Sequence, residues 1–201
     1  MKPQRKPRPA GLPFARLSAQ AKVRALDWVR NNLMEDFGFR SDQLTQGIRE
    51  YVVEKHGLSA DKCYWSLNHC QGDGVAFYGS IDLDPLKQKQ PEVAAIFARL
   101  RLLGIYCYIE ATIHGSGGFQ HHWNSMDPRT QALDYEPEHE AQAKQAAEDL
   151  ERFMDGFLKD VSRDAERYGY EAVDYETSDE HIQEWIDAND YRFTRDGSPA
   201  R

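Results

Sequence analysis

The chain is 201 residues long and carries 25 basic against 33 acidic residues, a formal net charge of −8. At this length one hydrophobic core is the usual arrangement, so we expect a single domain over residues 14–197. No stretch approaches the roughly 18 apolar residues that cross a bilayer, and no apolar segment follows the basic N-terminus as a secretion signal requires. The sequence therefore predicts a cytoplasmic protein. Its three cysteines form no C-x-x-C pair and are expected to be reduced.

The charge is unevenly distributed along the chain. Residues 131–201 hold 20 of the 33 acidic residues and 8 of the 25 basic ones, a net charge of −12, against +4 for residues 1–130. Such a field repels nucleic acid from the C-terminal third and attracts a basic protein surface. The alternative is an ordinary solvated helix surface.

The N-terminal part is predicted to be a tail followed by two helices. Residues 1–13 are basic and contain four prolines, so we expect a disordered tail. Ser18 is a candidate N-cap for a first helix that Gly38 would end. A second helix should run from Asp42 to a stop at Gly57.

The middle of the chain changes to a strand pattern. Alternation over residues 63–68 and strand-forming residues over 75–83 predict a hairpin. Its turn would centre on Gly72-Asp73-Gly74, because glycine accepts positive φ.

A helix and a second strand pair should follow. The pattern predicts a short helix over residues 91–103. A strand over 105–113 and a return strand over 119–126 come next, separated by a glycine-rich loop.

The C-terminal part, residues 134–197, is predicted to be acidic and helical. An apolar stripe indicates the longest helix from Pro137 to about Tyr168. The run Thr177-Ser178-Asp179-Glu180 is typical of a capping box that opens a short final helix. Together the elements predict an α+β fold, with an antiparallel sheet of about four strands covered on one face by helices.

The segment from Gln71 to Phe77 has two interpretations. Its glycines and Asp73 could belong to a polar site, or they could form a tight structural turn. The spacing fits neither a phosphate-binding loop nor a calcium loop. No metal and no cofactor are predicted here or elsewhere in the chain.

Three histidines flank the glycine-rich loop. His121 and His122 would point to opposite faces of a strand, so a three-histidine zinc site with His114 is poorly supported. If the two hairpins are adjacent, His122 could approach Asp73 as the acid/base pair of a hydrolytic site. The candidate catalytic residues are then Asp73, His122, Gln71 and Ser66. A hydrogen-bonded pair with a structural role is the alternative.

Three stretches, in this order, resemble one known family of proteins. They are Tyr64-Trp65-Ser66 with Cys70 through Gly79; Ser116 through Gly118 with His122 and Ser125-Met126; and Tyr175 through Glu180 with Ala188 through Thr194. The family occurs in phages and other bacterial mobile elements and is often labelled "antitoxin of a toxin-antitoxin stability system". The resemblance implies a phage or mobile-element origin. The loop from Gly117 to His122 departs from the family, which tends to be tyrosine-rich there.

Three functions follow from these observations. The first is a non-enzymatic protein that binds and inhibits a host or cognate protein with a basic surface, as an antitoxin or an anti-defence inhibitor such as an anti-CRISPR. Its acidic residues would mimic a nucleic acid, and direct nucleic-acid binding is not expected. The candidate binding residues are Glu148, Asp149, Glu151, Asp155, Asp160 and Asp164.

The other two functions belong to different classes. One is a small hydrolase or nucleotide-handling enzyme that uses Asp73 and His122. The chain lacks a nucleophile elbow and a Rossmann fingerprint, so an enzyme is the less favoured expectation. The other is a structural or regulatory homo-oligomer, for which an exposed Trp123 or Trp185 would mark the interface.

Overall fold

The structure of the protein, a computed structural model, describes residues 11–35, 37–115 and 120–200, and of residues 33–40 it describes the backbone only. The fold is α+β, as predicted. In chain order the elements are β1 (Leu12–Pro13), α1 (Ala19–Glu35), α2 (Phe37–His56), β2 (Ser59–Ser66), β3 (Gly74–Asp82), α3 (Leu83–Lys89), α4 (Pro91–Leu102), β4 (Tyr108–Gly115), β5 (Met126–Leu133), α5 (Glu140–Glu176), α6 (Asp179–Ala188) and β6 (Arg192–Phe193).

The described chain forms two compact units. The first is built from the two ends of the chain, 11–41 and 171–200, and the second from residues 42–170. Each has its own hydrophobic core. The single domain expected over residues 14–197 stays a prediction.

The second unit is built on a four-stranded antiparallel sheet in the order β2-β3-β4-β5. The predicted hairpin is confirmed, since β2 pairs with β3 from Ser59↔Asp82 to Ser66↔Gly74. In β4 the side chain of Ile109 is buried while that of Tyr108 is exposed, the alternation expected of a strand with one covered face.

Helices cover the buried face of this sheet. Val52 of α2, Val93 of α4 and Leu150 of α5 belong to the same core as the sheet residues. A buried hydroxyl also joins a helix to the sheet, because Ser162 of α5 donates a hydrogen bond to the carbonyl of Val75. The long acidic C-terminal helix predicted from the apolar stripe is therefore present, and its apolar stripe faces the core.

The first unit has a small core between two helices and a two-stranded sheet. β1 pairs antiparallel with β6, with Leu12 opposite Phe193. Val29 of α1 and Ile186 of α6 are buried in its core. Ser178 caps α6, since its hydroxyl accepts a hydrogen bond from the backbone N–H of His181.

Two predictions about the N-terminal part change, and one is confirmed. Gly38 does not end the first helix: α1 ends at Glu35, and Gly38 lies in the first turn of α2. Gly57, with φ of 76°, ends α2 as predicted. Leu12 and Pro13, predicted to be tail, form β1, and residues 1–10 lie outside the described part of the chain.

The second strand pair is displaced from its predicted position. The strand expected over 105–113 begins at Tyr108, and the return strand expected over 119–126 lies at Met126–Leu133. The segment 120–125 forms a turn and a short 3-10 helix. The inward positions of β5 hold Pro128, Thr130 and Ala132 instead of large apolar residues, so the alternation typical of a strand is weak in the sequence.

One further helix was not predicted, and one helix ends later than predicted. α3 was not predicted, although Asp82 caps it by accepting a hydrogen bond from the N–H of Asp84. α5 continues past Tyr168 to Glu176, and Gly169 lies within the helix. A Cβ at Gly169 would lie 2.6 Å from Cδ1 of Leu67, so this glycine permits close packing inside the helix.

Candidate functional site

The connection between β2 and β3 ends in a tight turn. The backbone N–H of Asp73 donates a hydrogen bond to the carbonyl of Cys70 at 3.2 Å. Gly72, the third residue of this turn, has a φ of 103°, a conformation that glycine adopts without strain. The glycine that the sequence assigned to the turn is therefore required by the backbone geometry.

The side chain of Asp73 holds this turn together. Its residue is 8% exposed, and its carboxylate accepts five hydrogen bonds, which nearly saturate the two oxygens. Oδ1 accepts from Ser66 Oγ at 2.8 Å and Cys70 Sγ at 3.2 Å, and Oδ2 accepts from Asn68 N at 2.6 Å, Cys70 N at 3.0 Å and Tyr170 Oη at 2.7 Å.

These hydrogen bonds decide the charge of Asp73. Burial raises the pKa of Asp73. The hydrogen bonds from the Cys70 amide, Tyr170 and Ser66 lower it by more, so the pKa lies well below its ordinary value. Burial and the bond to Asp73 raise the pKa of Tyr170 to about 12, so this phenol keeps its proton. Asp73 is thus a charged acceptor at neutral pH, and its low pKa makes it a weak base.

The segment that carries His122 lies beside the same turn. A Cβ added at Gly74 would lie 2.8 Å from the carbonyl oxygen of His121 and 3.5 Å from the Cα of His122. The Nδ1 atom of His122 contacts the side-chain oxygen of Asn124 at 2.6 Å. The two hairpins are therefore adjacent at this end of the sheet. This adjacency is what the sequence analysis required for His122 to approach Asp73.

Glu166, a residue that the sequence did not indicate, completes the cluster. It lies four residues before Tyr170 in α5, on the same side of the helix. Its half-buried carboxyl interacts electrostatically with Asp73, His122 and Arg163. Burial first, and then the charge of Asp73, raise the pKa of Glu166.

The structure brings together part of the predicted catalytic set. Ser66 and Asp73 are in direct contact, and His122 lies nearby with its Nδ1 on Asn124. Gln71 is exposed and pairs with no described residue. Because Asp73 is surrounded by donors, its geometry favours the structural interpretation of this residue over the hydrolytic one.

The six acidic residues proposed for partner binding fall into two groups. Three of them already have partners: Asp149 pairs with Arg99 at 2.5 Å, Glu151 accepts from the N–H of Thr130 at 2.9 Å, and Asp164 accepts from Tyr51 at 2.9 Å. Asp164 is also paired with Lys55, His56 and Arg167. Although burial raises its pKa, the bonds from Lys55, His56 and Tyr51 hold it well below the ordinary value.

The other three acidic residues face solvent. Glu148, Asp155 and Asp160 are exposed, and none has an ion pair or hydrogen bond with a described residue. Glu148 and Asp155 are seven residues apart, so they lie on the same side of α5. The surface available to a partner is therefore smaller than the full set of six predicts.

In the first unit, α6 carries further exposed acids that were not selected from the sequence. Glu180, Glu184 and Asp187 recur at helical spacing, and all three are exposed. That spacing could have been found in the sequence. Tyr170 could not, because it is 97 residues from Asp73 along the chain.

Neither tryptophan proposed to mark an oligomer interface is exposed. Trp123 is half-buried, with the ammonium of Lys159 4.6 Å from its ring centroid. Trp185 is half-buried and packs against Tyr191 at 4.8 Å between ring centroids. These positions lend no support to an interface at either residue.

Three further searches, for metal sites, for membrane-spanning helices and for similar known proteins, identify no functional site in the described residues. Within residues 11–35, 37–115 and 120–200, no three His, Cys, Asp or Glu side chains are placed to share a metal ion, and no helix has the length and apolarity needed to cross a membrane. Comparison of the chain with protein-family models, curated proteins and solved structures finds no match. The resemblance to the mobile-element family stays a prediction.

Proposed function

We propose that the protein is non-enzymatic and binds a host or cognate protein with a basic surface, as an antitoxin or an anti-defence inhibitor. The observation that carries this proposal is the group of exposed, unpaired carboxylates on α5, namely Glu148, Asp155 and Asp160. Carboxylates without an intramolecular base keep their full charge for a partner. The net charge of −12 over residues 131–201 supports the same interpretation.

The internally paired acids have a different role in this proposal. Asp149, Glu151 and Asp164 connect α5 to the rest of its unit through Arg99, Thr130 and Lys55. Replacing them would disturb the fold before it disturbed binding. They are therefore excluded from the proposed contact surface.

The first test is affinity capture of the tagged protein from the cell that encodes it, at low and at high salt. We expect one nucleic-acid-handling or toxin protein to be retained at low salt and released at high salt, since screening weakens contacts between exposed charges. Failure to retain any protein at either salt would count against the proposal.

The second test uses charge reversal. The triple variant E148K, D155K and D160K should weaken binding to the captured protein about tenfold or more. The matched control is D42K, E54K and E92K, three exposed residues outside α5 that give the same change in net charge. Equal loss in both triples would mean that total charge matters and the α5 surface does not.

A second candidate function is a small hydrolase or nucleotide-handling enzyme. One observation favours it: burial and the charge of Asp73 raise the pKa of Glu166, and His122 lies close enough to act on it electrostatically. In this version Glu166 replaces Asp73 as the titrating carboxyl. Asp73 positions the turn.

A screen of ATP, GTP and nucleoside monophosphates for hydrolysis tests this candidate. Turnover that is lost in E166Q and in H122A, but kept in the exposed control D155N, would support it. Turnover that survives both site variants would come from another site or a contaminant. An absence of turnover would leave protein binding as the function.

A further inference from the structure

The sheet of the second unit opens between its two central strands. β3 pairs with β4 at only two positions, Gly79↔Ile113 and Ser80↔Thr112. Beyond them the chain leaves β3 at Asp82 and enters α3. On its other side β4 pairs with β5 along its whole length, from Tyr108 to Gly115.

The first half of β4 therefore has one unpaired edge. From Tyr108 to Ala111 every residue of β4 has a register partner in β5, and none has one in β3. In an antiparallel strand alternate residues direct their N–H and C=O groups to opposite sides. About half of the backbone groups in this stretch therefore point into the opening.

A cavity of about 380 Å³ and one of about 670 Å³ share Arg49 and lie along this end of the sheet. The larger one is lined by residues of both strands, among them Asp82 of β3 and Tyr108 of β4. Its apolar lining includes Ile81, Phe97 and Ile109, and its rim carries carboxylates. The volume falls within the range of roughly 300–1,000 Å³ that is usual for ligand sites.

Exposed apolar side chains extend this opening. A third cavity of about 470 Å³ shares Phe97 and Tyr108 with the larger one and is also lined by Tyr106. Tyr106 is 86% exposed, Tyr108 59% and the nearby Leu102 88%. Large exposed apolar groups beside an unpaired strand edge are typical of a protein interaction surface.

The charges on the rim indicate the sign of the ligand. The carboxylates of Asp61 and Asp82 accept only backbone N–H groups, from Ser80 and Asp84 respectively, so their charge is not neutralised. Lys87 is paired with Asp84. Arg49 donates to the carbonyl of Ala60, a neutral group, and so keeps its charge. The five charged residues that line the larger cavity, Arg49, Asp61, Asp82, Asp84 and Lys87, have a net charge of about −1.

We propose that this opening, the β4 slot, binds an extended peptide segment of a partner protein, which adds as a strand along Tyr108–Ala111 and places a Lys or Arg near Asp61 and Asp82. Strand addition uses the free backbone groups for affinity and the side-chain pockets for specificity. Tyr108 would contact the peptide directly. This inference rests on the proposed function, because it assumes that the protein binds another protein.

The experiment selects short random peptides displayed on phage against the full chain, and measures binding of the synthetic winners by fluorescence polarisation. We expect peptides with alternating apolar residues and at least one Lys or Arg. Y108A should weaken their binding roughly tenfold or more. The matched control Y64A changes another exposed strand tyrosine that lines none of these three cavities and should leave binding within about twofold.

Hydrogen exchange locates the bound peptide. Alternate amides between Tyr108 and Ala111 should exchange more slowly with the peptide present, because the added strand supplies their acceptors. Three outcomes would overturn the proposal: no peptide is selected, Y108A binds as well as the unchanged chain, or these amides exchange at an unchanged rate. A concentration-dependent dimer that already protects them would assign the slot to a second copy of the chain.

The two proposals fail separately. The triple variant E148K, D155K and D160K leaves the β4 slot intact and should bind the selected peptides as the unchanged chain does. If it does, loss of the captured protein reports only on the acidic surface of α5. If capture succeeds but peptide selection fails, the β4 slot is overturned and the protein-binding function stands.

Discussion

At the residue scale, Asp73 is the most constrained charged group of the second unit. Five donors from four residues converge on it, and one of them, Tyr170, comes from α5. A buried carboxylate in such a setting is costly to remove, because the donors around it lose their acceptor. Its contribution is to fix the turn between β2 and β3 against the helix.

The first prediction follows from this arrangement. D73N should lower the free energy of unfolding by about 3 kcal/mol, since the amide removes the charge and directs donors at donors. Y170F, which removes one donor, should cost about 1–2 kcal/mol. Urea unfolding measures both.

The control for D73N is D155N, the same change at an exposed and unpaired position. It should alter stability by less than about 0.5 kcal/mol. If D73N were equally mild, the five hydrogen bonds would not stabilise the fold as described. A catalytic role for Asp73 would then regain weight.

At the element scale, two glycines with different environments test how the helices end and pack. A Cβ at Gly57 would lie 2.4 Å from the backbone carbonyl oxygen of Pro85, and the φ of 76° disfavours any other residue. Gly156 lies within α5 and has no heavy atom within 4 Å of such a Cβ. Replacing glycine by alanine should therefore lower the free energy of unfolding at Gly57 and raise it at Gly156.

We expect G57A to destabilise the protein by about 2 kcal/mol or more. G156A should stabilise it by about 0.5–1 kcal/mol, because alanine is the better helix former. Thermal and urea unfolding of the two variants measure the difference. Destabilisation by G156A would show that its surroundings are more crowded than the structure has them.

The N-terminus of α6 gives a third prediction. Ser178 caps the helix, whereas the hydroxyl of Thr177 donates back to the carbonyl of Val173. S178A should therefore cost α6 about 1 kcal/mol, and T177A much less. Hydrogen exchange of the α6 amides, including that of His181, would distinguish the two; a larger effect of T177A would restore the capping box that starts at Thr177.

At the scale of the whole molecule, acid should destabilise the protein through its clamped carboxylates. Asp73 and Asp164 both have folded-state pKa values below the ordinary 3.8. A depressed pKa adds stability above the unfolded value, and this stability is lost as the pH falls through the window between the two. Most of the loss should therefore occur below about pH 4.

The measurement is the free energy of unfolding from neutral pH down to about pH 3. We expect a steep fall in the unchanged chain and a shallower one in D73N, which lacks one of the two groups. An identical slope in both would mean that Asp73 titrates alike in the folded and unfolded states.

The fold class and most of the local elements can be predicted from the amino-acid sequence. The hairpin of β2 and β3, the helix that begins at Pro91, the stop at Gly57 and the helix after Thr177 each depend on neighbours within a few residues. Backbone preferences, caps and turn geometry act over that distance, so their signals are visible in the chain. The predicted position of β5 was wrong because its inward residues, Pro128, Thr130 and Ala132, are not large apolar strand formers.

Which charged groups lack an internal partner depends on the tertiary packing of the chain. Tyr170 reaches Asp73 across 97 residues, and Arg99 neutralises Asp149 across 50. The sequence shows a run of acids in α5 but not that three of them are paired. Such pairing depends on which surfaces pack together, and the unpaired edge of β4 likewise arises from where β3 leaves the sheet.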